Sequence, residues 1–150
     1  MVRAASEALE SDFNYTRYFG QVEYRYRWSR HTVLVSSMAG RIGGEAPLFE
    51  RFSLGDSRTL RGWNKYELAP AGGDRVFHTS LEYRFRGLAL FLDSGSVWEA
   101  GSDARIRVAS GLGFHPGPFF MTVGFPLNTD GVRAVFTAGI RLGGVDVRKD

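Results

Sequence analysis

The sequence has no cysteine among its 150 residues, which excludes disulfide bonds and cysteine-ligated metal sites. It also has no apolar run of about 18 residues, the length that a membrane-spanning helix needs. A transmembrane helix is therefore excluded. A transmembrane β-barrel is not excluded, because its strands place apolar side chains only at alternate positions.

Concentrated charge and catalytic groupings are also missing. The formal net charge is +3, and the 19 basic residues lie singly between apolar ones, so no nucleic-acid partner is predicted. The histidines His31, His78 and His115 do not have the spacing of metal ligands. No histidine base is patterned with Ser94 or Ser96. We therefore predict no metal, no cofactor, no catalytic residue and no enzymatic activity.

Glycine and aromatic residues are plentiful instead. The chain has 19 glycines, 12 phenylalanines and 6 tyrosines, a composition typical of strands joined by tight turns. Apolar and polar residues alternate from Gly20 to Ser29, and less cleanly from Thr32 to Gly40. The alternation recurs in Phe77–Phe85, Leu88–Trp98, Ile106–Phe114, Phe119–Phe125 and Val132–Leu142. This predicts an all-β antiparallel fold of seven to eight strands.

Strand length and the segregation of polar residues favour a barrel in a membrane. Most of the predicted strands have about 9–12 residues, close to the ~9–11 with which a tilted strand crosses a bilayer and more than the roughly 5–6 of a soluble strand. One face of each strand is apolar and aromatic, and the other has arginine, glycine, serine and carboxylates, as lipid-facing and lumen-facing positions require. A soluble small-ligand barrel alternates in the same way and stays open as an alternative.

The predicted organisation is a single β-barrel domain over residues 1–150, without a periplasmic repeat domain. Residues 1–15 are a polar lead-in, residues 41–75 a long glycine-rich loop, and residues 143–150 a tail. Since hairpin loops usually have about 2–5 residues, a loop of this length is typical of a functional segment. Glu82 and Asp93 fall on the polar face of neighbouring strands, where an arginine from an inward-folded loop would find an anionic partner.

Several motifs follow one another in a fixed order. The long loop contains Phe49–Trp63, which ends in the pattern aliphatic-Arg-Gly-aromatic. Downstream lie Pro70–Asp74, Leu81–Phe85, Phe91–Trp98, Pro116–Pro118 and Val123–Leu127. From about Tyr18 to Leu142 the chain resembles the outer-membrane assembly-factor superfamily, also called the bacterial surface antigen family, which includes the BamA and TamA insertases and the two-partner-secretion transporters. Asp56 stands where that family usually has a glycine.

The resemblance implies an inward-folded loop held by its arginine. In that family the loop folds back into the barrel, and carboxylates of the inner wall bind the motif arginine, so Arg61 is expected to meet Asp93 and Glu82. Arginine suits this position because its planar guanidinium binds a carboxylate through two parallel hydrogen bonds and keeps its charge. The residues carried over are the loop motif Leu60, Arg61, Gly62 and Trp63, the acids Asp93 and Glu82, and the supporting Phe91 and Gly95.

The resemblance also implies a function: insertion, assembly or translocation of unfolded or β-rich client proteins at the bacterial outer membrane, in contact with membrane lipid. The last strand would border a seam with the first, and Gly139 would permit a kink there. Seven or eight strands are fewer than such barrels use. The chain is therefore expected to be part of a larger barrel, a short closed variant, or half of a homodimer. A passive barrel or pore, or a non-functional fragment, stays open as an alternative.

Overall fold

The chain forms one sheet of eight antiparallel strands in a computed structural model that describes residues 1–5, 13–65, 67–131 and 133–140. Each strand pairs with its neighbours along the chain, and among the described residues β1 and β8 are not paired with each other. The strands are β1 (Val2–Ala5), β2 (Asn14–Trp28), β3 (His31–Glu45), β4 (Arg75–Phe85), β5 (Leu88–Trp98), β6 (Arg107–Phe114), β7 (Phe119–Pro126) and β8 (Val135–Ile140). The prediction of an all-β antiparallel fold of seven to eight strands is confirmed.

The predicted polar lead-in is wrong in part. Within residues 1–15, Val2–Ala5 forms β1, and β2 already begins at Asn14. β1 pairs with β2 from Val2 opposite Tyr18 to Ala5 opposite Tyr15. Such an edge strand is held by backbone hydrogen bonds, which need no alternation of side chains. Residues 6–12 and the predicted tail 143–150 lie outside the described residues.

The predicted bounds of the long loop are also corrected. β3 runs from His31 to Glu45 instead of ending at Gly40, so the loop between β3 and β4 spans residues 46–74 instead of 41–75. The extra residues pair with β2 up to Asn14 opposite Glu45, although their side chains do not alternate in polarity. β8 begins later than its predicted start, and Arg141 and Leu142 at its predicted end lie outside the described residues.

The two faces of the sheet differ as the alternation predicts. In β5, Leu88, Leu90 and Leu92 are exposed on the outer face, whereas Phe91 and Asp93 are buried on the inner face. Further large apolar side chains exposed on the other strands include Val22, Tyr24, Tyr26, Leu81, Leu112, Phe119, Phe136 and Ile140. This continuous apolar surface is the lipid-facing side of a transmembrane barrel wall.

The two ends of the sheet have connections of different length. Short turns join β2 to β3, β4 to β5 and β6 to β7 at one end, called here the short-turn end. In the turn after β4, Arg86 has φ 48° and Gly87 has φ 86°, as a two-residue hairpin of type I′ requires. Among the connections that are described in full, longer loops join β3 to β4 and β5 to β6 at the opposite end, the long-loop end. Outer-membrane barrels place their short turns on the periplasmic side.

The loop 46–74 folds onto the concave face and supplies most of the apolar core. Its base is closed by Phe52 and Gly73, which exchange two backbone hydrogen bonds of 2.9 Å. The buried cluster consists of Ile42, Phe52, Leu54, Leu60, Trp63, Val76 and Ala109. Four of these seven residues come from the loop, so the loop is packed as an interior element of the fold. Its only described helical segment is a single 3₁₀ turn at Leu48–Glu50, and no described helix has the length and apolarity to span a membrane.

Candidate functional site

The guanidinium of Arg61 binds Asp93 on the inner wall through two hydrogen bonds. Arg61 Nε donates to Asp93 Oδ2 and Nη2 donates to Asp93 Oδ1, both at 2.8 Å. The backbone N–H of Arg61 donates to the same carboxylate at 3.0 Å. Asp93 therefore accepts hydrogen bonds from both the side chain and the main chain of the loop at this residue.

A second carboxylate and a hydroxyl complete the hydrogen bonding. Arg61 Nη1 donates to Glu82 on β4, and Nη2 donates to Ser80 Oγ at 3.0 Å. The Ser80 hydroxyl donates in turn to Asp93 Oδ1 at 2.6 Å. Glu82 also accepts a hydrogen bond from Arg84 Nε on the same strand. Two arginines thus face two carboxylates, so the buried charges of the cluster balance.

An aromatic ring covers one side of the guanidinium. The Cζ atom of Arg61 lies 3.7 Å from the centroid of the Phe91 ring, within cation–π distance. Burial by itself lowers the pKa of Arg61, but the hydrogen bonds and charge of Asp93, followed by those of Glu82, raise the pKa above its ordinary value. The side chain therefore stays charged throughout the physiological range, and the ion cluster does not depend on pH through this residue.

Glycines on the loop and the wall allow their backbones to touch. Gly62 has φ 117°, and a Cβ there would lie 2.9 Å from the Cβ of Ala109. On β7, a Cβ at Gly124 would lie 2.6 Å from the backbone nitrogen of Gly62. Neither site has room for a side chain, and the positive φ at Gly62 disfavours any residue other than glycine. The loop therefore contacts the inner wall in two ways. It forms ion pairs with β4 and β5, and its backbone packs closely against the backbone of β7.

Leu60 and Trp63 flank the arginine and are both buried. Two guanidiniums lie within cation–π distance of the Trp63 ring, with Arg107 Cζ 5.1 Å and Arg133 Cζ 5.4 Å from its centroid. Arg133 Nη1 also lies 2.5 Å from Glu67 Oε1 in the same loop. A second group of contacts, here called the rim contacts, thus joins the loop to the segment that leads into β8.

Asp56 has a local structural role where the family usually has glycine. Its Oδ1 atom accepts hydrogen bonds from the backbone N–H groups of Arg58 and Thr59, at 2.8 and 2.9 Å, and from the Thr59 hydroxyl at 3.0 Å. The Thr59 hydroxyl also accepts from the Gly55 N–H at 3.2 Å. The carboxylate closes a turn just before the arginine motif, in the manner of an Asx turn.

Two further glycines named from the sequence make room for neighbours. A Cβ at Gly95 would lie 2.8 Å from the Phe77 carbonyl oxygen and 3.1 Å from Leu54 Cδ1, so Gly95 lets the loop residue Leu54 pack against the wall. A Cβ at Gly139 would lie 2.8 Å from carbons of the Phe120 ring. The missing side chain of Gly139 thus accommodates an aromatic ring of β7, and its role as a seam kink stays a prediction.

The structure adds residues that the sequence analysis did not name. Ser80 lies two positions before Glu82 and therefore on the same face of β4. The alternation that placed Glu82 on the inner face could have placed the Ser80 hydroxyl there too. Gly124 lies inside the motif Val123–Leu127, but nothing local marks it as a contact of the loop. Glu67 and Arg133 are 66 positions apart in the chain and have no shared pattern. Only the three-dimensional arrangement brings them together.

A curved antiparallel sheet that is apolar outside, polar inside and filled by an ion-paired loop defines the wall of a transmembrane β-barrel. The model of the Omp85 superfamily domain matches residues 2–142, and the chain belongs to this superfamily. It is accordingly a protein of the bacterial outer membrane. The resemblance inferred from the ordered motifs is confirmed.

A curated relative is the outer membrane protein assembly factor BamA of Nitratidesulfovibrio vulgaris. The two proteins are 31% identical over 108 residues, an alignment that covers 57% of this chain. It covers 14% of the length of BamA, so the chain corresponds to a small part of that relative.

Proposed function

We propose that this chain takes part in the assembly or translocation of β-rich client proteins at the outer membrane, with Arg61 pinning loop 46–74 to the inner wall. The observation that supports the pinning is the hydrogen bonding of one guanidinium to Asp93, Glu82 and Ser80. The relative BamA is an outer membrane protein assembly factor, and similarity to it favours a role in assembly over that of a passive barrel. No bond-forming chemistry is involved, and the chain acts by binding and positioning.

The energetics favour positioning of the loop over a gain in stability. Moving a charged group out of water costs several kcal/mol per ion, and the attraction within the cluster roughly offsets that cost. Once the loop is folded inward, however, loss of one partner leaves an uncompensated buried charge, which costs about 3–5 kcal/mol. The loop therefore has one strongly preferred position, and positions in which Arg61 leaves its carboxylates are disfavoured.

A liposome assay with a matched pair of variants tests this proposal. The chain is refolded into liposomes, and the folding of an added outer-membrane barrel protein is followed by its heat-modifiable migration. We expect faster folding than in empty liposomes, a loss of about tenfold or more for Arg61→Gln, and little change for Arg58→Gln. Arg58 is an exposed arginine of the same loop, so both variants remove one positive charge.

Two results would contradict the proposal in different ways. If liposomes with the unaltered chain fold the client no faster than empty liposomes, the assembly function is wrong, and ion leakage through the same liposomes would then indicate a passive pore. If Arg61→Gln and Arg58→Gln behave alike while the unaltered chain is active, the pinning of the loop by Arg61 is wrong and the assembly function stands.

A further inference from the structure

The short-turn end of the sheet is predominantly basic. A carboxylate close to it is Glu82 on β4, which stands opposite Phe91 of β5 and pairs with Arg84. The hairpin tips, residues 24–34, 83–90 and 113–122, contain no aspartate or glutamate. They contain the arginines and histidines Arg25, Arg27, Arg30, His31, Arg84, Arg86 and His115. The long-loop end mixes both signs, with acids such as Glu50, Glu67, Asp74 and Glu99. The charge asymmetry therefore separates the two ends of the barrel wall.

The basic residues of this end surround a cavity. Its volume is about 800 Å³, and its lining includes Arg27, Arg30, Arg84 and Arg86 together with His115, from all three hairpins. No carboxylate is among the lining residues. Arg84 is paired with Glu82, and His115 Nε2 lies 4.0 Å from the same carboxylate, whereas Arg27, Arg30 and Arg86 form no ion pair with a described carboxylate. A concave surface on which charge of one sign predominates concentrates the electrostatic potential and attracts anions.

The orientation of the strands indicates what kind of anion reaches the cavity. Arg27 lies between Tyr26 and Trp28, and Arg84 lies between Tyr83 and Phe85, so the aromatic neighbours point outward to the lipid and the arginines point inward. An anion bound there approaches from the lumen or from the periplasm. Lipid headgroups lie around the outer face, on the side of the aromatic residues. The inward orientation of Arg27 and Arg84 therefore favours a polypeptide over a lipid.

We propose that this basic pocket at the short-turn end binds an acidic segment of a polypeptide. Guanidinium groups suit the carboxylates of such a segment because each one presents a planar pair of donors. A cleft of this size accommodates several side chains. The site lies at the end of the wall opposite to the loops, and binding there does not depend on the insertion activity proposed above.

A binding measurement with charge-matched variants tests the pocket. The full chain, refolded in detergent, is titrated against fluorescein-labelled octaglutamate, and binding is followed by fluorescence anisotropy at low salt. The triple variant Arg27→Gln, Arg30→Gln, Arg86→Gln should bind about tenfold more weakly or worse, because three charge contacts are lost. Arg84 is left unchanged because it contacts Glu82, which belongs to the ion cluster around Arg61. Replacing the three arginines by lysine should keep most of the affinity, since the charge is retained.

The control removes the same charge elsewhere. The triple variant Arg41→Gln, Arg75→Gln, Arg105→Gln changes three exposed arginines of the long-loop end and should alter the affinity less than twofold. Equal losses in the two triple variants, or no binding of octaglutamate by the unaltered chain, would overturn the proposal. It is equally overturned if inorganic phosphate or phosphatidylglycerol vesicles bind through Arg27, Arg30 and Arg86 while octaglutamate does not. Because no client protein is present, these outcomes are independent of the liposome assay.

Discussion

Among the arginine–carboxylate contacts that the loop 46–74 makes with the rest of the chain, the inner contacts of Arg61 and the rim pair of Glu67 differ chiefly in burial. At the inner wall, the side chains of Arg61 and Asp93 are 9% and 0% exposed. At the rim, the side chains of Arg133 and Glu67 are 43% and 29% exposed. The distances are similar, at 2.8 and 2.5 Å. Distance alone therefore does not indicate how strongly each contact constrains the loop.

The difference lies in what replaces a lost partner. Water solvates Glu67 or Arg133 if the rim pair opens, and exposed pairs contribute under about 1 kcal/mol. Water does not reach Asp93 in the same way, so removal of its partner leaves a buried charge without compensation. We therefore expect the inner contacts to constrain the position of the loop more strongly than the rim contacts do.

The largest effect is expected from Asp93→Asn, which removes the buried charge opposite Arg61. We expect the free energy of unfolding in detergent to fall by about 3–5 kcal/mol, because Arg61 keeps its charge and loses its principal partner. Urea titration measures this, and limited trypsin digestion after Arg58 and Lys65 reports release of the loop. The matched control is Glu67→Gln, which breaks the rim pair with Arg133. Equal destabilisation by the two variants would refute the distinction between inner and rim contacts.

The second largest loss of stability is expected from disturbing the close backbone contact between the loop and β7. In Gly124→Ala the added methyl group meets the backbone of Arg61 and Gly62, so a loss of about 1–3 kcal/mol is expected from overpacking. Gly43→Ala is the control, because a Cβ at Gly43 has nothing within 4 Å. Urea titration of both variants makes the comparison. A Gly124→Ala protein as stable as Gly43→Ala would mean that the loop does not rest on β7.

The turn at Asp56 should contribute less than either inner contact. Asp56→Ala removes three hydrogen bonds to Arg58 and Thr59, and a loss of about 0.5–2 kcal/mol is expected, as for a helix cap. Asp56→Asn keeps an acceptor oxygen and should lose less. Thermal unfolding of the two variants distinguishes them. Identical melting temperatures for Asp56→Ala and the unaltered chain would show that the turn forms without the carboxylate.

The smallest effect should come from the rim, and it should depend on pH. The hydrogen bond from Arg133 holds the pKa of Glu67 below its ordinary value of 4.5. The contribution of the pair is therefore fully present above pH 4.5 and is lost as the pH falls through the lowered pKa. Fluorescence of Trp63, in a variant with Trp28→Phe and Trp98→Phe, should shift when the pH is lowered from about 7 to about 3. Glu67→Gln should abolish this shift, and a shift that survives in Glu67→Gln would exclude the rim pair as its cause.

The motifs and the alternation were enough to predict the fold class, the family and the faces of the strands. Alternation is a local property, because successive side chains of a strand point to opposite faces whatever the strand packs against. It placed Glu82 and Asp93 on the inner face, where both are buried. The strand ends were less predictable. β1 and the last residues of β3 are held by backbone hydrogen bonds, and the polarity of their side chains does not reveal that they are strands.

The sequence by itself determined that this chain makes an antiparallel wall with an apolar outside, a polar inside and one long loop that contains an arginine motif. Only the tertiary structure decided that Gly124 touches Gly62, that Ser80 joins the ion cluster, and that Glu67 meets Arg133. The physical reason is that these contacts join residues far apart in the chain. The Ser80 hydroxyl, for example, is oriented by Arg61 and Asp93, which come from other elements. These contacts depend on the curvature and register of the whole sheet, whereas the strand pattern depends only on the pleat.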